Sequence, residues 1–291
     1  MHPGVIHITV SREVRMAAPA GLQVSGVTVR FGGLTAVDGA GLTAPPGAVT
    51  GLVGPDGAGK TTLCDVIAGL RRPAAGTVRL GDADLTGSAA RERARRGIAR
   101  TSPGPAGSRT VRETVRAAAA RHALTREYPG RTARDRWRRR LDARRDAGPR
   151  AEEILARVGI AEYAERCARA APPGVALLTG LARALAAEPA VLLLDEPWAG
   201  MPARHARALE VLLRDLAAEG LAVLVVEREL EPVLGVCDVL HVLDGGRVIA
   251  AGAPAEVRAD PRVRDAYRAV TTCRSTPGDA PRRAELQRAP S

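Results

Sequence analysis

The chain has 291 residues, 45% apolar and 26% charged, enough to bury a sizeable core in one large domain or two small ones. Its formal net charge is +11, yet its only aromatics are Phe31, Tyr128, Tyr163, Tyr267, Trp137 and Trp198. So few ring faces argue against stacking on single-stranded nucleic acid, and the excess charge reads first as arginine on solvated faces. Cys64, Cys167, Cys237 and Cys273 are far apart, without zinc or redox spacing, and read as reduced thiols of a cytosolic protein. No uncharged apolar run reaches the ~18 residues a membrane span needs, and the amino terminus lacks a signal-peptide core.

In chain order, residues 1–20 are expected as a disordered extension, with Met16 opening a more ordinary start. Residues 23–31 (QVSGVTVRF) alternate as a strand, and 48–53 (AVTGLV) form an apolar strand running into a glycine-rich loop. KTTLCDVIAGL (60–70) has helical spacing, with Leu63, Val66, Ile67 and Leu70 on one face. A short strand is expected at 77–80. From about 88 to 175 arginine and alanine dominate and helical patterns prevail, with a basic stretch at 126–150 around Trp137. A helix is expected at 178–188, a buried strand at 190–195, a helix at 203–219, and strands at 222–227, near 239–243 and at 247–251. Strands alternating with helices predict a mostly parallel sheet. Residues 269–291 read as a disordered basic tail.

Among 43 Lys and Arg residues, Lys60 is the single lysine. A guanidinium is a wide planar fork, whereas an ammonium on a thin stem fits a narrow phosphate cradle. The cradle is Gly54-Pro55-Asp56-Gly57-Ala58-Gly59-Lys60-Thr61-Thr62, a P-loop G-x-x-x-x-G-K-[ST] between a strand and a helix. Its backbone N–H groups and the helix start would face phosphate oxygens, Lys60 would reach the β- and γ-phosphates, and the Thr61 hydroxyl would hold Mg²⁺. Such a loop needs a metal carboxylate at the end of a neighbouring strand, and Val191–Pro197 (VLLLDEP) supplies one. Asp195 is expected on Mg²⁺, directly or through water, and Glu196 is placed as general base for an attacking water.

The long interval between Lys60 and Asp195, the DEP ending and the run GLARALAAEPAVLLLDEP resemble ABC-transporter ATPase domains. RFGGLTAVDGAGL (30–42), GIART (97–101) and LDGGRVIAAGAPAEVRADPRVRDAY (243–267) narrow the likeness to ATP-binding subunits of branched-chain amino-acid uptake systems. The resemblance spans residues 22–268. It implies an α/β P-loop NTPase core with a mostly parallel sheet, an N-terminal antiparallel β subdomain and an inserted helical subdomain, within an ATPase domain at 21–268. It also implies ATP and Mg²⁺ as cofactors, and Phe31 as the aromatic that stacks on adenine. Transmembrane permease subunits and a second ATP-binding subunit, identical or not, are the implied partners on the inner face of the membrane.

Several positions depart from that family's pattern. Its T-F-Q reads Thr101-Ser102-Pro103, so the glutamine is lost. Its L-S-G-G-Q signature falls on Ala171-Pro172-Pro173-Gly174-Val175, without the serine. Its V-E-H-D reads Val226-Glu227-Arg228-Glu229, with Arg228 where the family has histidine. In a dimer whose sites combine one P-loop with the other chain's signature, these losses would weaken both sites. His205 and His241 read as packing or surface residues rather than replacements. Three readings follow: an ATPase subunit of an importer with weak turnover, a hydrolysis-deficient nucleotide-binding scaffold, and an ABC-type ATPase acting on nucleic acid through 126–150. Arg228 would still meet a γ-phosphate as a cation.

Overall fold

The strand that leads into the phosphate loop, β3 (Val49–Val53), is buried at every residue and lies in the middle of a six-stranded sheet. The computed structural model describes residues 20–101, 109–125, 133–199, 201 and 203–274. The expected amino-terminal extension before residue 20 and the tail beyond 274 lie outside them. Two strands precede β3, namely β1 (Leu22–Phe31) and β2 (Leu34–Ala44). Then follow α1 (Lys60–Ile67), β4 (Ala75–Leu80), β5 (Ala83–Asp84), α2 (Ala90–Arg95) and β6 (Ile98–Arg100). The helices α3 (Val111–Thr125), α4 (Ala133–Val158) and α5 (Pro173–Leu185) lead to β7 (Val191–Asp195), α6 (Ala203–Ala218) and β8 (Ala222–Glu227). The chain continues through α7 (Glu231–Leu234), β9 (Val239–Asp244), β10 (Arg247–Gly252), α8 (Pro254–Ala259) and α9 (Pro261–Arg274).

One sheet has the order β2-β1-β4-β5 and is antiparallel; the other has the order β10-β9-β3-β8-β7-β6 and is parallel except for its β10 edge. The period-two alternation of the central strands separates the two cores. Val223 and Val225 of β8 and Leu192 and Leu194 of β7 face a core shared with α3, α4, α5 and α6. Leu224, Val226, Val191 and Leu193 face a second core shared with α1 and the antiparallel sheet. Both strands are therefore apolar at successive positions, as buried parallel strands are.

The structure adjusts several expected boundaries. Residues 34–44, interrupted by Gly39 and Gly41, pair along β1 as a strand through register shifts that absorb the interruptions. The helix after the loop ends at Ile67, because Gly69 turns the chain with φ 75°, and Leu70 is 65% exposed rather than on the buried face. Within the expected insertion the short helix α2 is followed by β6, which joins the parallel sheet beside β7, and the long helices begin after Thr110. There the Thr110 hydroxyl accepts from the Glu113 N–H at 3.1 Å while the Glu113 carboxylate accepts from the Thr110 N–H at 3.0 Å. That reciprocal pair satisfies two orphan donors at the start of α3. The helix expected from 178 starts at Pro173, where a missing N–H costs nothing because first-turn donors have no partner inside the helix. The last helix continues to Arg274, past the boundary expected after 268. Of the cysteines, Cys64 and Cys237 are buried, and burial pushes each thiol up to about 12, which suits inert reduced thiols.

Arg93 holds α1 in place. Its guanidinium is 1% exposed and donates to the Val66 and Ile67 carbonyls at 2.6 and 2.9 Å, and to those of Ser88 and Thr86, both at 3.1 Å. It thus satisfies carbonyls at the C-terminal end of the helix that begins at Lys60. Arg93→Met is expected to lower the free energy of unfolding by about 3 kcal/mol, since it strands buried carbonyls. Urea unfolding of the two proteins measures it.

Candidate functional site

The glycine-rich loop passes through a gap that admits no side chain at two of its positions. A Cβ on Gly54 would stand 2.0 Å from the Leu243 carbonyl oxygen at the end of β9. One on Gly59, whose φ is 103°, would stand 2.4 Å from the Ala36 carbonyl oxygen in β2. The loop is therefore wedged between the parallel sheet and the first hairpin. Asp56 and Gly57 are exposed at its crest, while Gly54, Pro55 and Ala58 are buried beneath it. Thr61 faces solvent and Thr62 is half-buried on the first turn of α1.

Lys60 is 7% exposed, and its Nζ donates to the Gly54 and Pro55 carbonyls at 2.7 and 2.8 Å. Burial pulls its ammonium below the ordinary lysine value, and the charges of Asp56, Glu196 and Asp195 oppose that pull while Arg228 reinforces it. The lone lysine thus curls into the loop, its charge partly satisfied by backbone.

β7 delivers the two expected acids to the same place. Asp195 ends the strand, and its Oδ2 accepts from Arg100 at 2.7 Å; the other arm of that guanidinium donates to Asp65 Oδ1 at 2.6 Å. Arg100 thereby ties the β7 carboxylate to α1 through two short charge-assisted bonds. Glu196 follows with φ 46°, a left-handed conformation uncommon for a side chain of its size. Its N–H donates to the Val226 carbonyl at 2.8 Å, which keeps the turn against β8.

Beyond β8, Arg228 reaches across the site. Its Nε stands 3.2 Å from Glu196 Oε1, and its terminal nitrogen donates to Asp56 Oδ1 at 3.4 Å. Beneath it Glu227 is 6% exposed and accepts from the N–H groups of Trp198 and Arg228, both at 3.3 Å; burial raises its carboxyl above the ordinary value. A cleft of about 760 Å³ opens beside the carboxylates. Thr61, Asp195 and Glu196 line it together with Pro173, Ala176 and Leu177 of α5 and with Arg100 and Thr101.

The expected site residues are thus distributed as follows. Gly54 to Thr62, Asp195 and Glu196 converge on one end of the parallel sheet. Phe31 lies at the β1–β2 hairpin, 42% exposed, and the Arg71 guanidinium stacks 4.2 Å from its ring centroid. His241 is buried opposite Leu52 in the interior of β9, and burial lowers its pKa, as a packing residue's would be. Ser102 and Pro103, and the basic residues 126–132, lie outside the described residues. Three participants escaped the sequence reading: Arg100, Arg71 and Tyr267. Arg100 sits in the GIART segment, but nothing in a linear sequence shows that β6 lies beside β7. Tyr267 of α9 stands against the Gly54 backbone, which places the C-terminal helix behind the loop.

The comparisons with known proteins agree with this geometry. Residues 37–199 match the ABC transporter family, and residues 247–267 match the branched-chain amino acid ATP-binding cassette transporter family. The chain is 33% identical over 249 residues to the high-affinity branched-chain amino acid transport ATP-binding protein LivG of Escherichia coli K12, covering 84% of this chain and 96% of that protein. It is equally similar, over the same shares, to the corresponding protein BraF of Pseudomonas aeruginosa. Among solved structures it superposes on an ATP-binding cassette of an ABC transporter in its ADP conformation with a TM-score of 0.73 and 27% identity, covering 86% of this chain and 99% of that one.

Arg100→Gln is expected to destabilise the fold by about 1–2 kcal/mol, because it leaves the Asp195 and Asp65 carboxylates without their shared counter-ion. Asp195→Asn in the same chain should recover part of that loss. A double-mutant cycle by thermal unfolding reads the coupling, and additive effects would refute the pairing.

Proposed function

The chain belongs to the ABC transporter family of ATP-binding subunits, and from that premise we propose that it binds ATP with Mg²⁺ and hydrolyses it slowly to drive import of branched-chain amino acids or related small solutes. The observation that supports this most directly is the convergence of Lys60, Thr61, Asp195 and Glu196 on one end of the parallel sheet.

In this reading the loop from Gly54 to Thr62 cradles the phosphates, and Lys60 exchanges the Gly54 and Pro55 carbonyls for phosphate oxygens. Phe31 offers its exposed ring to adenine, with Arg71 on the other face. Thr61 and Asp195 suit Mg²⁺ because both are hard oxygen donors lining one cleft. Among the described residues no group of three or more His, Cys, Asp or Glu is placed to hold a metal, so phosphate oxygens would complete the shell. When bound, the ion would neutralise charge developing on the transferred phosphoryl group. Glu196, re-aimed by its left-handed turn, orients and deprotonates the attacking water.

Slow turnover is inferred from the changed loops. Arg228 occupies the carboxylate of the base, and the signature positions Pro172 and Pro173 form the cap and first turn of α5, where they offer neither a hydroxyl nor a proline N–H. Losing one donor aimed at transition-state charge typically costs about 10²–10³ in rate. The same ion pair favours a second reading, a nucleotide-binding scaffold that does not turn over. Lys60→Ala should abolish ATP binding. Glu196→Gln should preserve binding and reduce phosphate release by at least ~10²-fold, while Pro103→Gln/Arg228→His should increase release. If wild type and Glu196→Gln release phosphate equally slowly, the scaffold reading stands instead.

Membrane attachment is proposed through permease subunits, since no described helix is long and apolar enough to cross a membrane. A cavity of about 550 Å³ between α2, α3 and α5 suits this partner. Among the described residues Arg91, Arg95, Arg100, Arg109, Arg121 and Arg183 line it, and no carboxylate does. Burial and the nearby Arg121 lower the Arg183 pKa, a sign of like charge crowded together. Such a surface attracts an acidic cytoplasmic loop. Arg95→Glu/Arg121→Glu is expected to weaken association with the permease about tenfold or more, with nucleotide affinity unchanged within twofold, measured by co-purification at several salt concentrations.

A further inference from the structure

The position where this family places a histidine does more here than receive a substitute. We infer that Arg228 is a triphosphate-specific latch: without nucleotide it ties Glu196 to the phosphate loop through Asp56, and the γ-phosphate draws it away and releases Glu196. The inference rests on the phosphate-cradle reading above and adds what decides between ATP and ADP.

Geometry carries it. Arg228 follows β8 directly, and its guanidinium spans two carboxylates from different elements, Glu196 at the end of β7 and Asp56 at the crest of the loop. An imidazole is too short and has too few donors to hold both, whereas a guanidinium has five donors in a fixed fork. The two contacts, 3.2 and 3.4 Å, are longer than the ~2.7–2.9 Å of a strong charge-assisted bond. All three side chains are exposed by a third or more: Arg228 51%, Asp56 47% and Glu196 36%. Pairs of that kind are weak and screened by water, so the latch opens readily when a better anion arrives. By contrast, Arg100 holds Asp195 at 2.7 Å in a less exposed setting and is built to stay.

Charge balance supplies the direction. Lys60 feels Asp56, Glu196, Asp195 and Arg228 together, so these groups form one electrostatic unit. Before nucleotide binds, the carboxylates are the counter-ions of the cations. A γ-phosphate between Asp56 and Glu196 would repel both carboxylates and attract the guanidinium, which would move from two single contacts to phosphate oxygens. Glu196 is then unpaired only when a triphosphate is present. A diphosphate, which ends short of that point, leaves the latch closed.

The test is equilibrium binding of ATP, ADP and the β,γ-imido triphosphate to the full chain, without Mg²⁺ so that no hydrolysis intervenes. Wild type is expected to prefer the triphosphates over ADP by about tenfold, the equivalent of one charge-assisted contact. Arg228→Ala should reduce that preference to within about twofold while leaving ADP affinity as it was, and Arg228→Lys should fall between. Asp56→Asn removes one latch partner and one charge that repels phosphate, so it should tighten ATP binding two- to fivefold in wild type and by a clearly smaller factor in Arg228→Ala, where only the repulsion is relieved. A merely structural Arg228 would not produce that dependence. If Arg228→Ala retains the wild-type ratio, or if Asp56→Asn acts equally in both backgrounds, the latch is refuted although the cradle stands. If wild type binds neither nucleotide, with Mg²⁺ as well as without it, the cradle fails and the latch with it. Should Arg228→Ala unfold, Arg228→Lys and Arg228→Gln carry the same comparison.

Discussion

Two backbone oxygens, those of Leu243 and Ala36, dictate where the phosphate loop can lie. They close on Gly54 and Gly59 so tightly that no side chain fits at either position. The loop is therefore one contact between the parallel sheet and the first antiparallel hairpin, beside the Asp38 N–H that donates to the Gly246 carbonyl at 2.9 Å. The loop is thus confined at Gly54 and Gly59 although Asp56 and Gly57 at its crest are exposed. It is also anchored from behind. Arg93 fastens the far end of α1, and Tyr267 brings the last helix against Gly54. Preorganised donors are the main asset of a phosphate site, because no reorganisation is then required when charge develops.

Around that loop the charges are arranged in two grades. Arg100, Asp65 and Asp195 make a short, partly buried clamp that joins α1, β6 and β7. Arg228, Glu196 and Asp56 make a longer, more exposed chain over the crest. The two differ in both distance and exposure, the Arg100 clamp being the shorter and the less exposed. Lys60, Arg100 and Arg228 stand close together and are balanced by Asp56, Asp65, Asp195 and Glu196, and in the proposed reading nucleotide would draw on the same cations. In the proposed reading phosphate and carboxylate would compete for them, and the exposed pair would yield first.

The helical insertion places a second feature near the first. Arg100 lines both the cleft beside Asp195 and Glu196 and the arginine-rich cavity under α3 and α5. One side chain thus holds the Asp195 carboxylate and lines the surface proposed for the membrane partner. The basic character visible in the composition is in part concentrated there, on α2, α3 and α5, rather than only on the 126–150 stretch that the sequence singles out.

The loop, the two acids after β7 and the alternating strands were legible in the sequence because each depends on local chemistry. Glycines permit the turn, a run of Val and Leu suits a strand buried on both faces, and a glycine-rich loop ahead of a helix marks phosphate. Local rules failed where pairing decided. β2 is interrupted by glycines, but β1 holds it through register shifts. β6 is three residues long and is a strand only because β7 lies beside it. Arg100 and Arg71 were unreadable for the same reason, since their partners lie far away in sequence or across a turn. The substitution at 228 was plain from the sequence as a lost histidine. That the arginine reaches both Glu196 and Asp56 was decided by the fold, because β8 lies between β3 and β7 and projects the residue that follows it over the ends of both.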